Sequence, residues 1–279
     1  MTDDPLQRGT PPGSLRYFAV LYAPEPARPL LEALYAFEAE IRDTARATSH
    51  DVSHTRLQWW RGEVDRLLAG RPEHPVTRGL LPLREAGADI ALLHEVMVAA
   101  DFDMARIALN DADEVAALAF RASGSVQSLA AAASSQPRVA STAELDFARR
   151  LGDAIAGVES LRDLHTEVAA GRIRLPLDQL EQAGVDPARL LDEPPPSGLA
   201  GVLRREKERL QRQFAALETL LNKDERIVQR QGLVLAALHS RLLDRIDTTR
   251  GAARARAELS PWSKLWTSWR TAVQYTRTP

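Results

Sequence analysis

The stretch Leu151–Pro176, LGDAIAGVESLRDLHTEVAAGRIRLP, reads as one long helix with two faces of different chemistry. Leu151, Ile155 and Val158 recur at the spacing of a core-facing stripe. Glu159, Asp163 and Glu167 recur at i, i+4 and i+8, which stacks three carboxylates on another face. Such a helix buries one side and aims an acidic ladder at solvent or at a cation. Most acidic helix faces are solvated. A divalent metal, or a diphosphate held through one, is the specific alternative.

The rest of the chain repeats the helical period. Ala, Leu, Glu and Arg dominate, aromatics are 5%, and strand signals are nearly absent. The pattern predicts helices over about 14–23, 27–48, 53–69, 75–84, 88–109, 111–134, 141–170, 178–183, 198–221, 223–247 and 260–274. Ser141 with Glu144 fits a capping box, and Ser260-Pro261 fits an N-cap followed by proline at the first helical position. Breaks fall at Pro24–Pro26, Pro137, Gly171–Pro176 and the triple proline before Gly198. Residues 1–13, rich in Pro, Gly and Asp, read as a disordered lead, and 14–279 as one all-α domain.

Composition narrows the function classes. A net charge of −2 gives no electrostatic case for nucleic acid. The absence of cysteine excludes disulfides, thiol catalysis and thiolate metal sites. The polar, acidic N-terminus lacks the apolar core of a signal peptide, and no stretch reaches the length of a membrane span. The expectation is a soluble cytoplasmic protein, with contact at a membrane surface left open.

Several segments, in order, resemble the squalene/phytoene synthase family. They are Leu34-Tyr35-Ala36-Phe37, then Arg56–Arg61 (RLQWWR) with Gly70-Arg71-Pro72 and His74-Pro75-Val76. Asp101–Met104, Phe120–Val126 (FRASGSV), the helix at 151–170 with its GRIRLP tail, and Lys264-Leu265-Trp266 follow. The resemblance runs from about Ser14 to Ala272. It implies an isoprenoid synthase-like helical bundle around a central apolar cavity. It also implies head-to-head joining of two prenyl diphosphates, with Mg²⁺ bridging diphosphate to two facing aspartate-rich helices. On that basis Asp163 and Glu167 are the candidate catalytic and metal-binding remnant of the second motif. Arg162, Arg172, Asp43, Tyr35 and His239 are candidates for substrate binding.

The first motif departs from the family pattern. The two aspartates implied as metal ligands, four residues apart, are Arg42 and Arg46 here; only Asp43 is acidic. A guanidinium has no lone pair to donate and repels a cation. The pattern resembles a degenerate branch that includes a mitochondrial complex I assembly factor and shares the RLQWWR segment. If the helices face each other, Arg42 and Arg46 meet Glu159, Asp163 or Glu167, and an ionic lock replaces the metal. The plainer reading is a solvated intrahelical ladder of Glu38, Arg42 and Arg46. The leading expectation is therefore a non-catalytic protein that needs no cofactor. It binds a prenyl diphosphate or another long apolar lipid, or acts as an assembly factor with a protein partner. The alternative is an active Mg²⁺-dependent prenyltransferase working from Asp163 and Glu167.

Other features carry less. His50 and His54 have metal spacing but no third ligand. Of Trp59 and Trp60, one is expected in the core and one outside it. Trp262, Leu265, Trp266, Trp269 and Val273 form an apolar stripe. It suits an interfacial helix, but docking of the last helix on the bundle is the stronger expectation.

Overall fold

The computed structural model describes residues 5–47, 49–249 and 256–276. Its α-helices run in order α1 (Leu15–Val20), α2 (Arg28–Ala45), α3 (His50–Leu68), α4 (Pro75–Glu85), α5 (Leu92–Ala105), α6 (Ala112–Ala119) and α7 (Ser125–Ser135). Then come α8 (Thr142–Arg162), α9 (Leu164–Ala169), α10 (Leu177–Gln182), α11 (Leu199–Leu217), α12 (Lys223–Val228), α13 (Arg230–Arg245) and α14 (Pro261–Gln274). No strand occurs among the described residues. The all-α expectation holds, and both caps named from the sequence form. Ser141 and Glu144 form the capping box of α8, and Ser260 accepts from the Ser263 N–H ahead of Pro261 in α14.

The helices bury two large apolar clusters side by side. One gathers α2, α3, α4, α5 and α7 around Leu34, Phe37, Leu57 and Leu80. The other gathers α8, α11 and α13 around Phe147, Ile155, Leu210 and Leu238. The seam between them, where α2 faces α8, is the cleft described below. Elsewhere α8 packs closely because of glycine. A Cβ on Gly152 of α8 would fall 2.5 Å from Gly124 Cα. Gly124 ends a π-helical turn, Phe120–Gly124, that joins α6 to α7 within the FRASGSV segment.

Three expectations need correction. Within the lead, residues 1–4 lie outside the described residues, but Pro5–Gly9 form a 3₁₀ turn packed on α2. Gly9 permits this, since a Cβ there would meet the Tyr35 carbonyl carbon at 2.0 Å. Second, the helix expected over 141–170 divides at Asp163 (φ −101°, ψ 11°), which ends α8 and starts α9. The Asp163 N–H still donates to Glu159 O and the Glu167 N–H to Asp163 O, both at 2.9 Å, so the three carboxylates stay on one side. Third, α14 docks with the face opposite to the one expected. Ser268 and Ala272, small and buried, lie against the bundle, and the tryptophan stripe faces outward.

The RLQWWR and HPV segments serve the scaffold. Trp60 is buried edge-on against Phe37, whereas Trp59 is half exposed over His74. The buried Glu63 carboxylate accepts from the N–H groups of Glu73 and His74, both at 2.8 Å, and from the Thr77 hydroxyl, which holds the α3–α4 turn. Arg61 pairs with Asp101 and ties α3 to α5. His50 and His54 are exposed at the start of α3.

Candidate functional site

The cleft lies between the C-terminal half of α2 and the end of α8 with α9. Arg42 and Arg46 come from α2, Glu159 and Asp163 from the end of α8, and Glu167 from α9. The α5 residue Asp103 and the tail residue Arg174 complete the rim. Below the rim the walls are small and apolar, with Ile41, Ala45, Val96, Ala99 and Ala100 on one side and Ala156 on the other.

Both first-motif arginines cross the gap. Arg42 Nη1 lies 3.3 Å from Glu159 Oε2, and its Nη2 donates to Glu38 Oε1 at 2.7 Å. Arg46 Nη2 donates to Glu167 Oε1 at 2.8 Å. The intrahelical Glu38–Arg42 pair is thus present too, but Glu38 is 2% exposed and shared with Arg16 at 2.6 Å, so it is no solvated ladder. Asp163 takes neither α2 arginine. It accepts from its neighbour Arg162 at 2.7 and 3.0 Å and from Arg256 at 2.6 and 3.1 Å.

Glu167 collects three cations. Arg172 Nε donates to it at 2.7 Å beside the Arg46 contact, and Arg174 Nε stands 3.9 Å away. Arg174 is paired with Asp103. Burial alone would raise these carboxyl groups, but the arginines outweigh it. Glu159 is held far below the usual carboxylate range, chiefly by Arg42. Glu167 and Asp163 are lowered by their own arginine partners. The Glu159 carboxylate in turn raises Arg42, so each charge favours the other's ionised form.

The remaining sequence candidates fall outside the cleft. Tyr35 is fully buried, donates to Gln127 Oε1 at 3.4 Å and lies under Arg16, whose guanidinium carbon is 4.8 Å from the ring centroid. Burial pushes its hydroxyl up to about 12. Asp43 is exposed and does not line the cleft. His239, on α13, is buried with Nδ1 2.8 Å from Leu235 O, and burial lowers it to about 4. None of the three lines the cleft. Burial claims Tyr35 and His239 for the core, and the helical phase of α2 turns Asp43 away while Arg42 and Arg46 face in. Conversely Arg16, Asp103, Arg174 and Arg256 belong to the site. The GRIRLP tail held a signal for Arg174. Nothing local marks Arg256, 93 residues from its partner.

The donor set does not fit magnesium. Mg²⁺ demands near-octahedral oxygen ligands at about 2.0–2.1 Å. Here two of the positions the resemblance assigns to aspartate carry guanidinium, and Glu159, Asp163 and Glu167 are each ion-paired with arginine. No group of three or more acidic or histidine residues with metal-site geometry occurs among the described residues. The cleft adjoins a second, more apolar pocket beneath Leu109, Val115 and Leu161. The two share walls at Ala122, Ala156, Ser160 and Arg174.

Comparison with known proteins agrees with this architecture. The sequence profile described as squalene/phytoene synthase matches residues 12–263. The chain belongs to the squalene/phytoene synthase family. It is 28% identical over 199 residues to a phytoene synthase of Mycobacterium tuberculosis, a match covering 69% of this chain and 64% of that protein. The matched stretch therefore spans under two thirds of that relative's length. It is 24% identical over 266 residues to a presqualene diphosphate synthase of Rhodopseudomonas palustris, covering 92% of each. Among solved structures, a dehydrosqualene synthase in complex with ligand superposes with a TM-score of 0.81 at 16% identity, over 97% of this chain and 99% of that one. A squalene synthase from Alicyclobacillus acidocaldarius gives 0.71 at 20% identity, over 86% and 90%. These establish the isoprenoid synthase fold.

Proposed function

We propose that this chain is a non-catalytic member of the family. It holds a prenyl diphosphate or another long apolar lipid at the α2–α8 cleft, or serves as an assembly factor, and works without magnesium. One observation carries the reading: Arg42 and Arg46 occupy the positions that the family resemblance gives to metal-binding aspartates and are engaged with Glu159 and Glu167. Diphosphate leaves readily only when its charge is neutralised, the role Mg²⁺ plays in such chemistry. In this cleft the arginines are already matched to carboxylates.

Binding without turnover suits the same arrangement. Seven arginines and five carboxylates pair around the cleft, leaving a net charge of +2 that favours an anionic head group. The alanine walls and the adjoining apolar pocket offer a path for a chain. Arg42 and Arg46 bridge the rim, so an entering head group has to compete with their pairs to Glu159 and Glu167. The assembly role draws on the resemblance to the degenerate branch.

The test has two arms. Purified protein with farnesyl or geranylgeranyl diphosphate and millimolar Mg²⁺ is expected to yield no condensed product. A product lost on Asp163→Ala would overturn the non-catalytic reading. Mass spectrometry of solvent extracts from the purified protein is expected to find a bound apolar lipid. No lipid, together with no change in melting temperature on adding farnesyl diphosphate, would overturn the lipid reading.

A further inference from the structure

The outer face of α14 is the largest feature the cleft does not explain. Trp262, Leu265, Trp266, Trp269 and Val273 are 79%, 45%, 59%, 48% and 50% exposed. Three of the chain's five tryptophans sit on this one face. The helix is fully anchored by its other side. Ser268 and Ala272 are buried, Lys264 Nζ donates to Gly13 O at 2.8 Å, and Arg241 Nε donates to Ser263 Oγ at 2.9 Å. The stripe is therefore a presented surface on a docked helix. Contiguous exposed apolar patches of this kind mark protein or membrane contact sites.

Charge chooses between occupants. α14 itself carries Lys264 and Arg270 and no acidic side chain, a net charge of +2. No acidic residue follows Glu258. On the helix surface Arg270 is exposed and borders the stripe. A second copy meeting this face through its own α14 would bring two positive ends together. An anionic lipid surface meets the same end with opposite charge, and tryptophan suits the boundary between head groups and acyl chains. No helix among the described residues is long and apolar enough to cross a membrane, so the contact is superficial.

We propose that the tryptophan face of α14 seats this protein on an anionic lipid surface, with α14 lying in the interface plane. The inference does not depend on the reading of the cleft. It is tested on the full chain by co-sedimentation with vesicles of phosphatidylcholine and phosphatidylglycerol in equal parts, against vesicles of phosphatidylcholine alone. Binding is expected to the anionic vesicles and to be much weaker to the neutral ones. Trp266→Ser with Trp269→Ser is expected to lose binding about tenfold or more. Arg270→Glu is expected to lose about fivefold or more on anionic vesicles only. All three side chains are exposed, so the variants keep the fold, which an unchanged melting temperature checks. Trp262→Ser alone, at the most exposed position, is the fallback if the double variant melts early. The proposal is overturned if the wild type binds neither vesicle or if the variants bind as it does. It is also overturned if sedimentation velocity shows a dimer that the tryptophan substitutions dissolve.

Discussion

The two sides of the cleft are built on opposite plans. On one side α2 is an unbroken helix whose last two turns carry cations, Arg42 and Arg46, into the seam. On the other side α8 and α9 are divided at Asp163, yet carry their carboxylates in register along one side. Two acidic sides would repel until a metal joined them. An acidic side facing a basic one needs no third party. The difference teaches that the same backbone can close this cleft by direct pairing, so any ligand has to compete with contacts already made.

The strongest way to break that comparison is to make the two sides alike. Arg42→Asp with Arg46→Asp places two carboxylates against Glu38, Asp103, Glu159 and Glu167. Losing the arginine partners of partly buried acids and adding like charge is expected to destabilise the fold by about 4–5 kcal/mol. Millimolar Mg²⁺ is expected to recover part of the melting temperature. A melting temperature unchanged from wild type, with and without Mg²⁺, would mean the two helices do not face each other at these positions.

A second test concerns what stands behind the acidic side. His239 is buried near Glu159 and its folded value is lowered to about 4 from 6.5. A lowered folded value means the unfolded chain binds the proton first, so stability is present above pH 6.5 and is lost as pH falls toward 4. The full shift corresponds to about 3 kcal/mol. His239→Gln is expected to flatten melting temperature against pH in that window. The ladder carboxylates act lower. With Glu159, Asp163 and Glu167 all held below their ordinary values, their stabilisation fades as pH falls through and below about 4.5. A His239→Gln curve parallel to wild type between pH 6.5 and 4 would place that loss elsewhere.

Much of the fold is legible in the sequence. The periodicity gives α2, α4 and α14 to within a residue or three, because caps and prolines mark their ends. The facing of Arg42 and Arg46 toward an acidic helix follows from the resemblance and the i, i+4 spacing. The division at Asp163 was not legible, because the apolar stripe and the carboxylate ladder both run through it. The breaks at Gln229 and in the π turn at Phe120 are hidden because helix-forming residues run through both without a proline. The orientation of α14 failed for a different reason. A hydrophobic stripe shows where apolar surface is, but the face that docks is set by the partner, and α1 and α13 offer a close approach suited to Ser268 and Ala272. The burial of Tyr35 and His239 is not legible either, because position in a motif says nothing about depth.

Removing the two arginines singly separates their contributions. Arg42→Ala strands Glu159 and takes one of two cations from buried Glu38, with Arg16 left in place. The Arg42 side chain is 33% exposed, which places the expected loss at about 2–3 kcal/mol, below that of a fully buried pair. Thermal or denaturant unfolding measures it. A loss under about 0.5 kcal/mol would mean water substitutes for the guanidinium and the lock is only a surface contact.

Arg46→Ala is expected to do least. Its side chain is 40% exposed, and its partner Glu167 keeps Arg172 at 2.7 Å and Arg174 nearby, so no carboxylate is left unpaired. The pair resembles an exposed one, and its removal is expected to cost about 0–1 kcal/mol. The binding consequence runs the other way. Arg46 bridges the rim of the cleft, so its loss is expected to ease opening and to speed release of a bound prenyl analogue more than it changes stability. Dissociation of a fluorescent farnesyl analogue, followed by stopped flow, separates the two effects. If Arg46→Ala leaves the off-rate unchanged while Arg42→Ala raises it, the inner pair alone gates the cleft and the outer pair is a rim contact.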